Sequence, residues 1–304
     1  MAPDSQPRSA TDVFTEHHEL LFAIVYSMLG AVADTEDVLQ ETWLSWEARS
    51  HGDPIDHPRA YLVRVAVNTA IARRRDLKRR RETYIGPWLP EPLPTPGGAS
   101  PDHAGGDGAE RVLLSESVSM ALLVVLESLT PAERAVFVLG EVFGYGAKEI
   151  ADMLERSPGA VRQLAHRARS HVHSRRPRYR VDPRIHREVT ERFMVAVRGG
   201  DVEALLGLLA PEVTLTCDGG GKAPAAGPRP LHGLDRVAAL LTNRTFRQSR
   251  GLEVDYRTVN GAPAALLVTE EGVVGALLLD LTADGERVRD VYAVTNPAKL
   301  ERLS

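Results

Sequence analysis

Residues 128–173, SLTPAERAVFVLGEVFGYGAKEIADMLERSPGAVRQLAHRARSHVH, decide how the chain is read. Thr130 precedes Pro131, and Glu133 follows three residues after the threonine. A hydroxyl cap, a first-turn proline and a carboxylate able to reach back to the cap amide predict a helix starting at Pro131. Ala135, Val136, Leu139, Val142 and Phe143 recur at helical spacing until Gly144 and Gly146 release the chain. A short helix over 147–154, with Ile150, Ala151 and Leu154 on one face, leads into the tight connection Glu155-Arg156-Ser157. Ser157 then caps a third helix beginning at Pro158, in which Val161, Leu164, Ala165 and Ala168 form the buried stripe. This is the spacing of a helix-turn-helix.

The outer face of the third helix carries Arg162, Gln163, His166, Arg167 and Arg169, and residues 156–181 contain no Asp or Glu. Arg and Gln can donate in pairs to base edges, and the N-terminal half of a recognition helix enters the major groove. A solvated basic helix in an ordinary bundle is the plainer reading of the spacing alone. The agreement of two caps, a short first helix and an acid-free third helix favours DNA binding.

Leu129-Thr130-Pro131 with Arg134, Glu149-Ile150-Ala151 and Arg167-Ala168-Arg169 resemble region 4 of the extracytoplasmic-function (ECF) sigma factors. The resemblance implies a module that reads the promoter −35 element and meets the flap of core RNA polymerase. Glu155 departs from the family pattern, which usually has Gly in this turn. A side chain there is expected to be strained or to take the left-handed conformation at some cost.

A chain of 304 residues with 43% hydrophobic content suits two or three domains with real cores. The formal net charge is only −4, so basic stretches must be local and balanced elsewhere. The single cysteine, Cys217, excludes an internal disulfide and fits a reducing cytosol. No apolar run approaches a membrane span, and the opening MAPDSQPRSATD lacks a signal-peptide core. A cytoplasmic protein without membrane contact is expected, as a monomer, with no metal or cofactor constellation.

Residues 12–82 read as an all-α first domain. Val13, Phe14, Leu20, Leu21, Ile24, Val25, Met28 and Leu29 give one amphipathic helix ending near Gly30, and a second runs through residues 34–46, DTEDVLQETWLSW. Acids interleave there with Val38, Leu39, Trp43, Leu44 and Trp46. The segment is a core helix with a solvated acidic face, or a docking surface for a basic partner. It resembles region 2.2 of the sigma family, which implies that Asp34, Asp37, Gln40, Glu41, Trp43 and Leu44 dock on the coiled coil of the polymerase largest subunit. A loop over 49–58 precedes a helix beginning near Arg59; in the family this loop holds a flipped base of the −10 element. Asn68, in that helix, reads as a buried structural amide or, by the family motif, as a DNA contact, which we favour. RRRDLKRRR at 73–81 reads as a phosphate-binding edge, with Arg73, Arg74, Arg75, Arg79 and Arg80 on the DNA backbone.

Residues 83–110 form a linker rich in Pro, Gly and Ser, of which PTPGGASPDHAGGDGA should be flexible. Its head, WLPEPL at 88–93, places an aromatic and two leucines in a polar tether, so it should dock on something. The family also places its linker near the template strand. An apolar helix over 112–126 is expected to join the helix-turn-helix bundle within a domain spanning 111–180.

Residues 182–304 read as α+β. Helices come first, over 185–197 and from Asp201 to Pro211. A strand follows through Val213, Leu215 and Cys217, then a helix over 234–241, then strands over 252–259, 264–269, 273–281 and 288–294. Asp218-Gly219-Gly220-Gly221-Lys222 lets backbone amides approach a partner, but without a following Ser/Thr and helix it is a poor phosphate loop. The α+β order resembles the SnoaL-like branch of the NTF2-like cone folds. WLPEPL with Trp88, Leu89, Pro90 and Glu91, the Asp218–Lys222 loop, and Asn296-Pro297-Ala298-Lys299-Leu300 resemble the signature set of sigma factors with a SnoaL-like extension, the SigJ type. Ala298 stands where that family usually has Asp. The resemblance implies two all-α sigma modules and a cone domain that regulates them in cis by contacting the linker. A competing reading makes the cone a small-molecule sensor or a cyclase-like enzyme, with Asp218, His232, Asp255 and Asp290 as candidate general bases. Nothing in the sequence brings those four together, so no catalytic residue is assigned.

Overall fold

The computed structural model describes residues 9–50, 55–81, 83–95, 118–175, 181–222, 227, 229–243 and 252–304. Their contacts divide the chain into two compact units, residues 1–79 with 126–174 and residues 80–125 with 175–304.

The first unit opens with α1 (Ala10–Leu29), whose Ser9 and Asp12 form a capping box and which ends at Gly30 in the left-handed conformation, φ 71°. Then come α2 (Val32–Ser50) and α3 (Pro58–Arg81). After α4 (Met120–Leu126), the unit resumes with α5 (Pro131–Phe137), which widens into a π turn over Val138–Val142. The helix-turn-helix pair is α6 (Ala147–Met153) and α7 (Pro158–Arg175). Thr130 and Glu133 form the expected capping box. The Ala160 amide donates to the Ser157 hydroxyl. Val161, Leu164 and Ala168 are buried as the spacing predicts. Glu155 takes the left-handed conformation at φ 51°, which lets the Arg156 amide close the turn onto the Ala151 carbonyl at 2.9 Å.

Two arginines hold this unit. α1 has no basic residue in its last turn, so its terminal carbonyls need donors from elsewhere. Fully buried Arg134 donates Nε to the Ser27 carbonyl at 2.8 Å, and Arg74, 5% exposed, donates Nη1 to the Met28 carbonyl at 2.9 Å. Glu127 accepts from Arg134 at 2.5 Å and from Arg74 at 3.4 Å. This corrects the expectation for Arg74: a guanidinium inside the unit, spent on carbonyls and a carboxylate, has no face left for a phosphate.

The second unit adds α8 (Pro183–Gly199), α9 (Val202–Leu208), β1 (Leu209–Asp218), β2 (Leu231–His232), α10 (Leu234–Leu241), β3 (Glu253–Val259), β4 (Ala262–Thr269), β5 (Gly272–Leu281) and β6 (Val288–Val294). The strands form one sheet in the order β2-β1-β6-β5-β4-β3, with β1 and β6 parallel and the other neighbours antiparallel. α9 stops at Leu208, short of the expected Pro211, because β1 has already begun. Exposed Pro211 sits at the register irregularity between Leu209 and Thr214, where a missing amide costs no ladder bond. The two-residue β2 has no alternation to announce it.

Period-two alternation sorts the strand residues between two cores. Ala265, Leu277, Leu279, Val291 and Ala293 pack with Phe193 of α8, Leu205 of α9 and Val237 of α10. Their neighbours Ala264, Leu266, Ala276, Leu278, Tyr292 and Val294 face the other way, against Leu89, Met120, Ala121, Leu300 and Leu303. The linker and the start of α4 therefore complete a core of the sheet. The helix expected over 112–126 is described from Met120 only, and its Met120 and Ala121 lie in this core, because apolar strand residues on that face need a cover. Cys217 lies in the first core, and burial pushes its thiol up to about 11.

Phe193 is fully buried, so Phe193→Ala should cost the second unit about 3–5 kcal/mol in urea unfolding, and a loss under about 1 kcal/mol would contradict this packing.

Candidate functional site

The sequence motifs fall on four surfaces. On α7, Arg162, Gln163, His166, Arg167 and Arg169 are all exposed. Arg167 donates Nε to Glu133 at 3.0 Å, and Arg169 pairs with Glu141 at 3.2 Å. Burial works to raise the pKa of Glu133, but hydrogen bonds from Thr130 and Arg167 hold it below the ordinary carboxylate value. The Arg167 side chain is 60% exposed, so this pair is weak and a phosphate oxygen can replace the carboxylate.

On α2, Gln40, Glu41 and Leu44 are exposed, and Leu44 is 56% exposed despite its size. Trp43 is half-buried edge-on to Phe14, and Trp46 donates its indole N–H to the Ala10 carbonyl at 2.8 Å. The acidic helix therefore turns Trp46 inward and leaves Leu44 outside. Asp34 and Asp37 are not simply solvated, since Arg73 pairs with both.

On α3, Asn68 donates Nδ2 to the Arg64 carbonyl at 3.0 Å and to the Met153 carbonyl of α6 at 2.9 Å. Arg75 is exposed, Arg73 is tied to α2, and Arg74 is buried as described. The side chains of Arg79 and Arg80 lie outside the described residues.

The fourth site is the one that the linker and the sheet domain build together. Asp218, at the end of β1, is fully buried. Its Oδ2 accepts from the Leu89 amide at 2.8 Å and from the Lys299 ammonium at 2.7 Å. Its Oδ1 accepts from the Tyr84 hydroxyl at 2.5 Å and the Gly220 amide at 3.1 Å. Lys299, 8% exposed, also donates to the Leu89 carbonyl. Its ammonium lies 4.2 Å from the Trp88 ring centroid and 5.4 Å from that of Tyr84. Both polar groups of the Leu89 peptide are thus met by a buried charge pair, while the Leu89 side chain enters the sheet core.

The loop residues have distinct parts in this lock. The Asp218 carbonyl accepts from the amides of Thr295 and Asn296, which brings Asn296, Pro297, Lys299 and Leu300 to the end of β1. Asn296 caps the following turn through Ala298 and donates Nδ2 to the Tyr84 oxygen at 2.9 Å. Gly220 has φ +57°, and a Cβ there would meet the Asn296 side-chain nitrogen Nδ2 at 2.5 Å, so only glycine fits. Gly221, φ +73°, gives a close approach to Ile85. The Lys222 amide closes the turn onto Gly219, and its side chain is exposed, outside the lock.

A second grip lies at the sheet edge. Asn260 accepts from the Leu93 amide through Oδ1 at 3.1 Å and returns its own amide to the Leu93 carbonyl at 2.8 Å. The Thr95 amide donates to the Thr258 carbonyl at 2.9 Å. Pro90 and Pro92 are buried between the two grips, and their missing amides leave no donor to satisfy there. Tyr84 and Asn260 are participants that sequence reasoning passed over. The signals available were a tyrosine beside a basic run and an Asn-Gly pair between strands, which reads first as an ordinary hairpin turn.

Of the four candidate bases, Asp218 is spent on the lock and Asp255, on β3, pairs with Arg257. His232 bonds the Thr214 hydroxyl at 3.1 Å. Asp290 also lies across from Thr214, but pairs with Arg289. The sheet therefore puts His232 and Asp290 in one row and leaves Asp218 and Asp255 elsewhere. Among the described residues no His/Cys/Asp/Glu cluster could hold a metal ion, and no helix is long and apolar enough to cross a membrane.

Residues 13–80 match the family model of sigma-70 region 2, and residues 119–172 that of sigma-70 region 4. The chain is 36% identical over 287 residues to the ECF RNA polymerase sigma factor SigJ of Mycobacterium tuberculosis, covering 92% of this chain and 89% of that one. It is 31% identical over 301 residues to a probable ECF RNA polymerase sigma factor, SigI, of the same organism, covering 98% and 97%. The crystal structure of the M. tuberculosis ECF sigma factor SigJ superposes with a TM-score of 0.70 at 31% identity, covering 94% of this chain and 96% of that one.

Asp218→Ala would leave the Lys299 ammonium buried without its counter-charge, so the second unit should lose about 3–5 kcal/mol in urea unfolding. Lys222→Ala, outside the lock, should change it by less than about 0.5 kcal/mol. Equal effects from the two substitutions would contradict the arrangement.

Proposed function

The chain belongs to the ECF sigma factors of RNA polymerase, of the SigJ type, and from this we propose that its α+β extension regulates promoter-directed transcription in cis by holding the linker. The observation that carries this reading is the Leu89 peptide, its amide on Asp218 and its carbonyl on Lys299.

In this reading, Arg162, Gln163 and His166 of α7 read the −35 element, with Arg167 and Arg169 exchanging their carboxylates for phosphates. Asn68 reads the −10 element, and Arg73, Arg75, Arg79 and Arg80 follow the DNA backbone. The exposed Leu44, with Trp43, Gln40, Glu41, Asp34 and Asp37, docks on the coiled coil of the polymerase largest subunit, and region 4 meets the flap. The factor acts in the cytoplasm as a monomer. Because the linker and its binding site share one chain, their effective concentration is high, and a modest interface suffices to hold the linker until polymerase competes for it. Release requires re-hydration of a buried ion pair and exposure of Leu89, so it is a discrete step. A ligand-sensing or cyclase-like extension finds less support, since Asp218 is committed to the linker and Asp255 and Asp290 to arginines.

The test is promoter-dependent run-off transcription with purified core polymerase, comparing the full chain with Trp88→Ala. Removing the indole that covers Lys299 should weaken the lock and raise transcript yield several-fold. Unchanged yield, with the variant folded, would contradict regulation through the linker.

A further inference from the structure

We propose that the groove of the extension filled by the linker is a binding site for proline-rich segments, and that such a segment of another protein enters it in trans and displaces the linker. The inference rests on the reading that the extension holds the linker, and it adds the chemistry of the partner that releases it.

The groove reads main chain at two points, Leu89 and Leu93. At the first, the amide donates to Asp218 Oδ2 at 2.8 Å and the carbonyl accepts from Lys299. At the second, the amide donates to Asn260 Oδ1 at 3.1 Å and the carbonyl accepts from the Asn260 amide at 2.8 Å. Pro94 then bridges Val259 in antiparallel fashion, so the segment leaves along β3, an edge strand of the sheet. Bonds to main chain are open to any segment that presents the same backbone geometry. Side chains add few demands. Leu89 fills the sheet core, Trp88 covers the Lys299 ammonium and Tyr84 reaches Asp218. Glu91 and Leu93 are only half-buried, and Pro94 is exposed.

Proline spacing sets that geometry. Leu89, Glu91 and Leu93 each precede a proline, and a residue so placed is driven out of the helical region into extended backbone. Pro90, Pro92 and Pro94 have their own φ fixed by the ring. Both read points are therefore held extended before binding, which lowers the ordering cost of association. That pre-ordering belongs to the sequence and not to the tether. A segment of another chain with an aromatic, Leu, Pro, any residue, Pro and Leu in succession carries it equally. The tether decides only the competition: a short flexible linker keeps its ligand at an effective concentration on the order of 1 mM. A foreign segment displaces the linker when it binds more tightly, or when its protein docks elsewhere on the factor and so raises its local concentration.

The probe is a capped peptide of residues 83–95, TYIGPWLPEPLPT, isotope-labelled at its Leu89 amide. The full chain carrying Trp88→Ala and Leu89→Ala, which vacates the groove, should bind it with Kd below about 100 µM, the value at which a tether worth about 1 mM keeps the groove roughly nine-tenths filled. A peptide with Leu89→Ala should bind at least about tenfold more weakly, since its side chain no longer fills the sheet core. No binding to the folded variant would overturn the proposal. Because that variant uncovers a core, the unaltered full chain decides where the variant does not fold. Peptide at about 5 mM, above the effective concentration of the tether, should strip exchange protection from the chain's own Leu89 amide and confer it on the peptide's. Unchanged protection would overturn the proposal. Sedimentation of the unaltered chain sorts the occupants: a monomer supports a foreign segment, whereas a dimer that the peptide dissolves assigns the groove to a second copy's linker and overturns it. A failure of regulation through the linker appears differently, as unchanged transcription in Trp88→Ala while the peptide still binds.

Discussion

A carboxylate with no exposed surface must be satisfied from within the protein, and Asp218 is satisfied from three segments far apart in sequence. Tyr84 and Leu89 come from the linker, Gly220 from its own loop and Lys299 from the C-terminal turn. Remove any one and the others lose a partner in a place water does not reach. The lock therefore tends to be made or broken as a whole. The same dependence explains why the glycines following Asp218 pack against Asn296 and Ile85 rather than lining an open anion site.

The sheet domain is built to need this tether. One face is covered by its own helices, but the other has apolar residues on β3, β4, β5 and β6 that are buried against Leu89, Met120 and Ala121. A linker that supplies part of a core is not a passive spacer, and its release carries a hydrophobic cost as well as a polar one. In the first unit, buried arginines have the corresponding role. They satisfy the carbonyl end of α1, a helix with no basic residue of its own in that turn. In both units a buried charge joins segments that would otherwise be only neighbours.

Much of this was legible in the sequence where local chemistry decides. The caps at Thr130 and Ser157 and the five long strands among the described residues follow from residue type and spacing, whereas the left-handed Glu155 was expected from the resemblance, which puts a Gly in that turn. The linker motif's apolar head was readable as something that docks, because solvent has no use for Trp88 and Leu89. Arg74 was misread for a physical reason: within RRRDLKRRR every arginine looks alike, and only the helix phase against α1 decides which one turns inward. Arg134 came to notice only through a motif, since a lone arginine in a helix gives no sign that it will be fully buried. Tyr84 and Asn260 were missed because their partners lie 134 and 167 residues away.

The central claim is that the linker peptide at Leu89 is held by the buried pair of Asp218 and Lys299. Hydrogen exchange at the Leu89 amide in the full chain tests it most directly, because that amide is one of the lock's own bonds. The account predicts strong protection, comparable to the amides of β1 and β6, that collapses in Lys299→Met while the strand amides stay protected. Exchange at the rate of an open chain in the unaltered protein would contradict it.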